Sequence, residues 1–186
     1  GHNIKDYKLS DLRSLMGYVP QDQFLFAMSI LENIRFSNPA LTLDQVQEAA
    51  KLAQVYYDIV AMPEGFATLI GEKGVSLSGG QKQRIAMARA MIMDPEILIL
   101  DDSLSAVDAR TENAIIEHLK ESRQGKTTLI TAHRLSAVVH SDLILVMQDG
   151  RIIERGRHED LLAQGGWYAR TYTSQQLEME GGDHGQ

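Results

Sequence analysis

The chain has 186 residues, 44% hydrophobic and 23% charged, enough for a domain with a real core and the composition of an ordinary globular protein. Its net charge of −7 argues against nucleic acid as the main partner, because binding to a phosphate backbone usually leaves a basic footprint. With no cysteine there is neither a disulfide framework nor a thiolate metal site, and no apolar run reaches the length of a membrane span.

Elements alternate along the chain in the manner of a layered α/β fold. Leu15 to Val19 reads as a short strand that stops at Pro20-Gln21. Leu43 to Leu52 has helical periodicity and is opened by Thr42 or Asp44, whereas Pro63 to Gly74 is rich in turn residues and reads as an irregular connector. Leu77-Ser78-Gly79-Gly80-Gln81 opens a helix expected to run from Gln81 to about Met93. The apolar run Ile97-Leu98-Ile99-Leu100 after Pro95 has the pattern of a strand buried on both faces. Thr111 to Ser122 is an amphipathic helix with Ile115, Ile116 and Leu119 inward, and Thr127 to Ala132 is a second strand expected to be buried. Leu143 to Met147 and Arg151 to Glu154 flank Asp149-Gly150, a favoured hairpin dipeptide. A last helix is expected over Glu159 to Ala163, then a polar, glycine-rich tail that frays from Glu178.

Several positions in this frame are suited to chemistry. The N–H groups at a helix start, with the helix dipole behind them, favour an anion such as phosphate. Gly79 and Gly80 allow a close approach there, and Ser78 is both a cap and a donor. Alone, Ser-Gly-Gly is most often an ordinary helix entry. Asp101 and Asp102 follow the Ile97–Leu100 strand directly, at the carboxyl end where open α/β sheets bind ligands. Two acids there suit Mg²⁺, which is held by one or two carboxylates together with waters and phosphates, but they equally suit a turn cap. Gln21 and His133 each lie just past a strand, and neither is diagnostic alone.

In combination they are specific. Gln21, Leu77–Gln81, Leu100-Asp101-Asp102, Ser105-Ala106-Val107-Asp108 and His133 occur in the order of the glutamine loop, signature motif, Walker B strand, D-loop and switch histidine. The chain thus resembles the ATP-binding cassette (ABC) ATPase family over nearly its whole length. Val19-Pro20-Gln21-Asp22, Leu25-Phe26, Glu32-Asn33-Ile34 and Gly71-Glu72-Lys73-Gly74 resemble the exporter branch.

The resemblance implies a P-loop NTPase-like parallel sheet core with a helical signature subdomain at about residues 24–93, a nucleotide-binding domain over residues 1–176, and the polar tail over 177–186. It also implies ATP and Mg²⁺ as ligands, sandwiched between two head-to-tail cassettes. Ser78, Gly79, Gly80 and Gln81 would contact ATP bound mainly by the second nucleotide-binding domain. Asp101 and Gln21 would serve the metal, Gln21 would also bind ATP, and Asp102 and His133 would serve the catalysis. Ser105 and Asp108 would lie at the dimer interface, and Glu72 would couple to the transmembrane domains of an exporter. Such a protein sits on the cytoplasmic face of the cell membrane through transmembrane domains outside this chain.

Two departures from the family pattern stand out. The base after the Walker B Asp is normally Glu, but here it is Asp102, one methylene shorter. A misplacement of roughly 1 Å can cost on the order of a hundredfold in rate. Paired with an intact signature, this points to one half of a heterodimeric exporter, with a slow site on Asp102 and a fast one completed by Leu77–Gln81. The second departure is the phosphate loop. Gly125-Lys126-Thr127 has Lys120 where the earlier glycine is needed and precedes a strand, so it reads as a turn. Gly1-His2-Asn3-Ile4 resembles the stretch just after the phosphate-loop helix, so the resemblance implies that the N-terminal β-subdomain and the phosphate loop (Walker A) are missing from this sequence, and that the fragment alone is inactive. The alternative function is a non-hydrolysing half that only caps nucleotide held by its partner.

Overall fold

A computed structural model describes residues 3–71 and 76–182. They fall into two compact units, Gly1–Thr131 and Ala132–Gln186.

The first unit contains α1 (Leu9–Ser14), β1 (Met16–Val19), α2 (Ile30–Ile34), α3 (Leu43–Leu52), α4 (Tyr56–Val60), α5 (Gly79–Met91), β2 (Ile97–Asp101), α6 (Ala109–Ser122) and β3 (Thr127–Thr131). Its three strands are parallel in the order β1-β2-β3, with Val19 beside Leu100 and Asp101 beside Thr131. Because the strands are parallel and nearly in step, their carboxyl ends share one edge. The helices α2 to α5 all lie between β1 and β2 in the chain, so the sheet is interrupted by a helical insertion.

Three of these helices open on the sequence pattern that satisfies orphan N–H groups reciprocally. Ser29 with Glu32, Thr42 with Gln45, and Ser78 with Gln81 each form a complete capping box. Thr42 rather than Asp44 is therefore the cap of α3. The core of the unit is mainly apolar: Val19, Ile34, Val46, Ile85, Met87, Leu98, Leu100 and Ile115 are fully buried, and the polar Asn33, Ser103 and Glu112 are buried among the same elements. Gly17 marks a tight point in it. A Cβ there would stand 2.8 Å from Pro95 Cγ and 2.9 Å from the Ala90 carbonyl oxygen, so a side chain would push β1 off the link between α5 and β2.

Burial of the sheet departs from the sequence expectation. β2 was expected to be buried on both faces, but Leu98 and Leu100 are buried while Ile97, Ile99 and Asp101 are half-buried. β3 was expected to be a buried strand, but its residues alternate between exposed and half-buried, with Leu129 52% exposed. The helices cover one face only, and β3 is an outer strand of the described sheet, so apolar composition overstated the burial. Gly125 and Lys126 form the turn before β3 as expected, with Gly125 at φ 79° and Lys126 paired with Asp94 at 2.5 Å.

The second unit contains β4 (Ile144–Gln148), β5 (Arg151–Gly156), α7 (His158–Gln164) and α8 (Trp167–Gly182). β4 and β5 are an antiparallel hairpin whose turn residues, Asp149 and Gly150, have φ of 49° and 74°, as a type I′ turn requires. Leu135, Ile144, Val146, Leu161 and Tyr168 form its core. The Tyr168 hydroxyl reaches His158 Nδ1 at 2.9 Å, and burial pushes its pKa up to about 12. The tail expected to fray from Glu178 is helical as far as Gly182, at the end of α8, an element absent from the sequence reading. Residues 183–186 lie outside the described residues.

Candidate functional site

The carboxyl edge of the parallel sheet brings together Tyr18, Gln21, Asp101, Asp102 and Thr131. Asp101 is the last residue of β2 and Asp102 the first beyond it. Asp101 accepts at Oδ2 from the Tyr18 hydroxyl on β1 at 3.1 Å, and at Oδ1 from the Thr131 hydroxyl on β3 at 2.7 Å. This bond, with the carboxylate charge behind it, raises the Tyr18 pKa and keeps the phenol protonated as the donor.

Asp102 has φ 44°, in the left-handed region, which Asp and Asn tolerate better than other non-glycine residues. Its N–H donates to both the carbonyl and the hydroxyl oxygen of Thr131, at 3.1 and 2.9 Å. Its carboxylate accepts from Gln21 Nε2 at 3.2 Å, so two predicted site residues, just past β1 and just past β2, meet directly. Ser105 turns back on the same point, donating from its hydroxyl to the Asp102 carbonyl at 2.9 Å.

The start of α5 is built separately. Ser78 Oγ accepts from the Gln81 N–H at 3.2 Å, and the Gln81 side chain accepts from the Ser78 N–H at 3.0 Å. Gln81 Nε2 also donates to Asp58, which pairs with Arg84 at 2.8 Å, fixing the first turn of α5 to α4. Ser78 and Gly79 are exposed, while Leu77 is buried beneath them. Gly80 is needed for packing: a Cβ there would lie 2.8 Å from the Ala106 carbonyl oxygen. One turn on, Gln83 is only 3% exposed, and it accepts from the Ala106 N–H at 3.1 Å and donates to the Ser105 hydroxyl at 3.4 Å. The helix start and the Ser105–Ala106 segment are thus packed as one piece, joined through Ser105 to Asp102.

The remaining predicted residues divide as follows. Asp108 is the N-cap of α6: it accepts from the Thr111 hydroxyl at 2.7 Å and the Thr111 N–H at 3.0 Å, and these bonds hold its pKa below the usual carboxylate range. His133 belongs to the second unit, where it is exposed and its carbonyl accepts from Gln175 Nε2 at 2.9 Å. Glu72 lies outside the described residues.

Residues 1–105 match the protein family described as ABC transporter. The chain belongs to the ABC transporter family. It is 55% identical over 95% of its length to "Probable multidrug resistance ABC transporter ATP-binding/permease protein YheI" of Bacillus subtilis, of which it covers 30%. It is 48% identical over 96% of its length to "Multidrug resistance-like ATP-binding protein MdlA" of Buchnera aphidicola, covering 31% of that protein. Among solved structures, that of a bacterial Atm1-family ABC exporter with ATP bound aligns with a TM-score of 0.88 and 40% identity, over 94% of this chain and 31% of that one. The chain thus spans about a third of the length of the ABC proteins it matches. No helix among its described residues is long and apolar enough to cross a membrane.

ABC ATPases work on ATP with Mg²⁺, and the acid edge fits that ion. No cluster of His, Cys, Asp and Glu among the described residues forms an all-protein metal cage. Neighbouring carboxylates at an open sheet edge are instead what Mg²⁺ uses when waters and phosphates complete its octahedron.

Sequence reasoning missed Tyr18, Thr131 and Gln83. Gln83 could have been found as a polar residue on the buried stripe of α5, between Ile85, Ala86 and Met87 on one side and the helix start on the other. Tyr18 and Thr131 lie in the strands that flank β2, next to last in β1 and last in β3, and only the pairing of β1, β2 and β3 reveals their common target.

Proposed function

We propose that this chain is part of the ATP-binding domain of an ABC exporter, working as one half of a heterodimeric pair that hydrolyses ATP to drive transport. The observation that carries the reading is the meeting of Gln21, Asp101 and Asp102 at one sheet edge, in the same unit as the capped, glycine-opened start of α5. ATP with Mg²⁺ supplies the phosphoanhydride to be cleaved and the neutralising charge. The chain's residues supply positioning and electrostatics, which is most of what phosphoryl transfer asks of a protein.

In this reading Asp101 orients the metal side, Gln21 senses it, and Asp102 with His133 serves the attacking water and the phosphate charge. Gln21 bonded to Asp102 gives the glutamine loop a direct report on the state of the acid. Ser78, Gly79 and Gly80 offer helix-start N–H groups and a hydroxyl to nucleotide held mainly by the second nucleotide-binding domain, and Gln81 fixes that turn. Ser105 and Asp108 face that second domain. The transmembrane domains dock near the aromatic patch that follows Gln21. There Phe24 is 66% and Phe36 47% exposed, and Phe26 stacks on Phe36 at 4.2 Å. Glu72 contributes to the same coupling. Such a protein works at the cytoplasmic face of the membrane.

The test uses the complete exporter with its partner half. With the partner's catalytic base replaced by Gln, the remaining turnover belongs to the Asp102 site. Asp102→Glu is expected to raise it by about a hundredfold, by restoring roughly 1 Å of reach. Turnover unchanged by Asp102→Glu refutes the slow-site assignment and favours a capping half that hydrolyses nothing.

A further inference from the structure

Asp101 is gripped from both sides. Its carboxylate lies between two hydroxyls that come from the two strands flanking β2, one on each oxygen: Tyr18 at 3.1 Å and Thr131 at 2.7 Å. We infer that Tyr18 and Thr131 are positioning residues that clamp the Asp101 carboxylate in one orientation, aiming it at the divalent cation of a bound nucleotide. This rests on the nucleotide-binding reading of the site given above.

The direction of each bond is determined by its neighbours. Thr131 Oγ1 accepts from the Asp102 N–H at 2.9 Å, so its own proton is free to go to Asp101. One hydroxyl thereby ties the side chain of one acid to the backbone of the next, which the left-handed conformation of Asp102 turns in a new direction. Tyr18 is 55% exposed, yet its hydroxyl is directed onto Asp101 across the open face of the sheet. A phenol with free access to water that nonetheless meets the carboxylate is more than a buried group finding an unavoidable partner.

The clamp leaves the acid available. A carboxylate has about four lone-pair sites, and two donors use about half of them. Each oxygen therefore retains capacity for a metal or a metal-bound water, while rotation of the carboxylate is suppressed. Hydrogen-bond partners of this kind, one step removed from a metal, typically carry ten- to hundredfold effects on metal affinity or activity.

The experiment uses the complete exporter, with the partner's metal-side acid replaced by Asn so that a single metal site is counted. Mn²⁺ replaces Mg²⁺ together with a non-hydrolysable ATP analogue, and Mn²⁺ affinity is read by electron paramagnetic resonance. Tyr18→Phe and Thr131→Val are each expected to weaken Mn²⁺ binding about tenfold, and Thr131→Ser to restore it. Melting temperatures measured without nucleotide identify any variant that has lost its fold. Tyr18→Phe, which keeps the ring, provides the reading if Thr131→Val is such a variant. Unchanged or tighter Mn²⁺ binding in folded Tyr18→Phe and Thr131→Val, with binding weakened in Asp101→Asn, overturns the clamp and leaves the nucleotide reading intact. Wild-type binding in Asp101→Asn overturns both.

Discussion

The two long helices of the first unit begin in opposite ways. α6 opens on Asp108 and carries Glu112 in its first turn, so its positive end is neutralised by its own residues. α5 opens on Ser78, Gly79 and Gly80 and has no acid in its first turn. Both starts are well capped, and they are about equally ordinary as pieces of secondary structure. They differ in the charge left over. α6 has used its dipole on itself, whereas α5 supplies no acid of its own, and the carboxylate against its first turn, Asp58 of α4, is already paired with Arg84. If α5 takes a phosphate as proposed, capping and anion binding are separable, and the cap residue decides between them.

Ser78→Asp breaks this contrast most strongly. Aspartate caps at least as well as serine, so the melting temperature of the protein is expected to hold or rise. A carboxylate facing a phosphate costs several kcal/mol, so ATP-driven turnover in the complete exporter should fall by about a hundredfold or more. A variant that lost stability and kept its turnover would show that the α5 start is a structural cap only. Gly80→Ala tests the packing beneath it. The added methyl lies 2.8 Å from a backbone oxygen, which cannot rotate away, and overpacking of that kind costs about 1–3 kcal/mol. Urea unfolding reads the loss directly.

Asp108 gives the smallest effect and sharpens the other side of the comparison. Its pKa is lowered in the folded state by the Thr111 hydroxyl and N–H, so its contribution is present above the ordinary aspartate range and is lost as pH falls through its folded value. The melting temperature of the wild type should exceed that of Asp108→Asn near neutrality, with the gap closing below about pH 4. A gap that is constant with pH would mean the carboxylate charge has no part in the cap.

Which features were legible in the sequence follows from the range of the interactions that make them. The starts of α3 and α5 are local patterns in which a hydroxyl meets a Gln within a single turn. Asp101 and Asp102 were legible because a strand edge follows from an apolar run stopping at acids. Burial of β2 and β3 was misjudged because composition does not say which sheet face the helices cover. α8 escaped notice because its apolar residues are sparse and do not repeat on one side. Tyr18, Thr131 and Gln83 were invisible for a deeper reason. Their partners lie 83, 30 and 22 positions away along the chain, and only the assembled sheet and helix bring them together.

The pairing of Asp101 with Thr131 has a consequence for how such a molecule fails. A slip of one position between β2 and β3 would turn the Thr131 hydroxyl to the opposite face, while changing the number of backbone hydrogen bonds very little. A molecule assembled that way would keep most of its cohesion and lose the alignment of its acid. Yield of folded protein and yield of competent protein are therefore distinct quantities here. A titration of metal-binding sites against total protein measures the second, where a melting curve reports only the first.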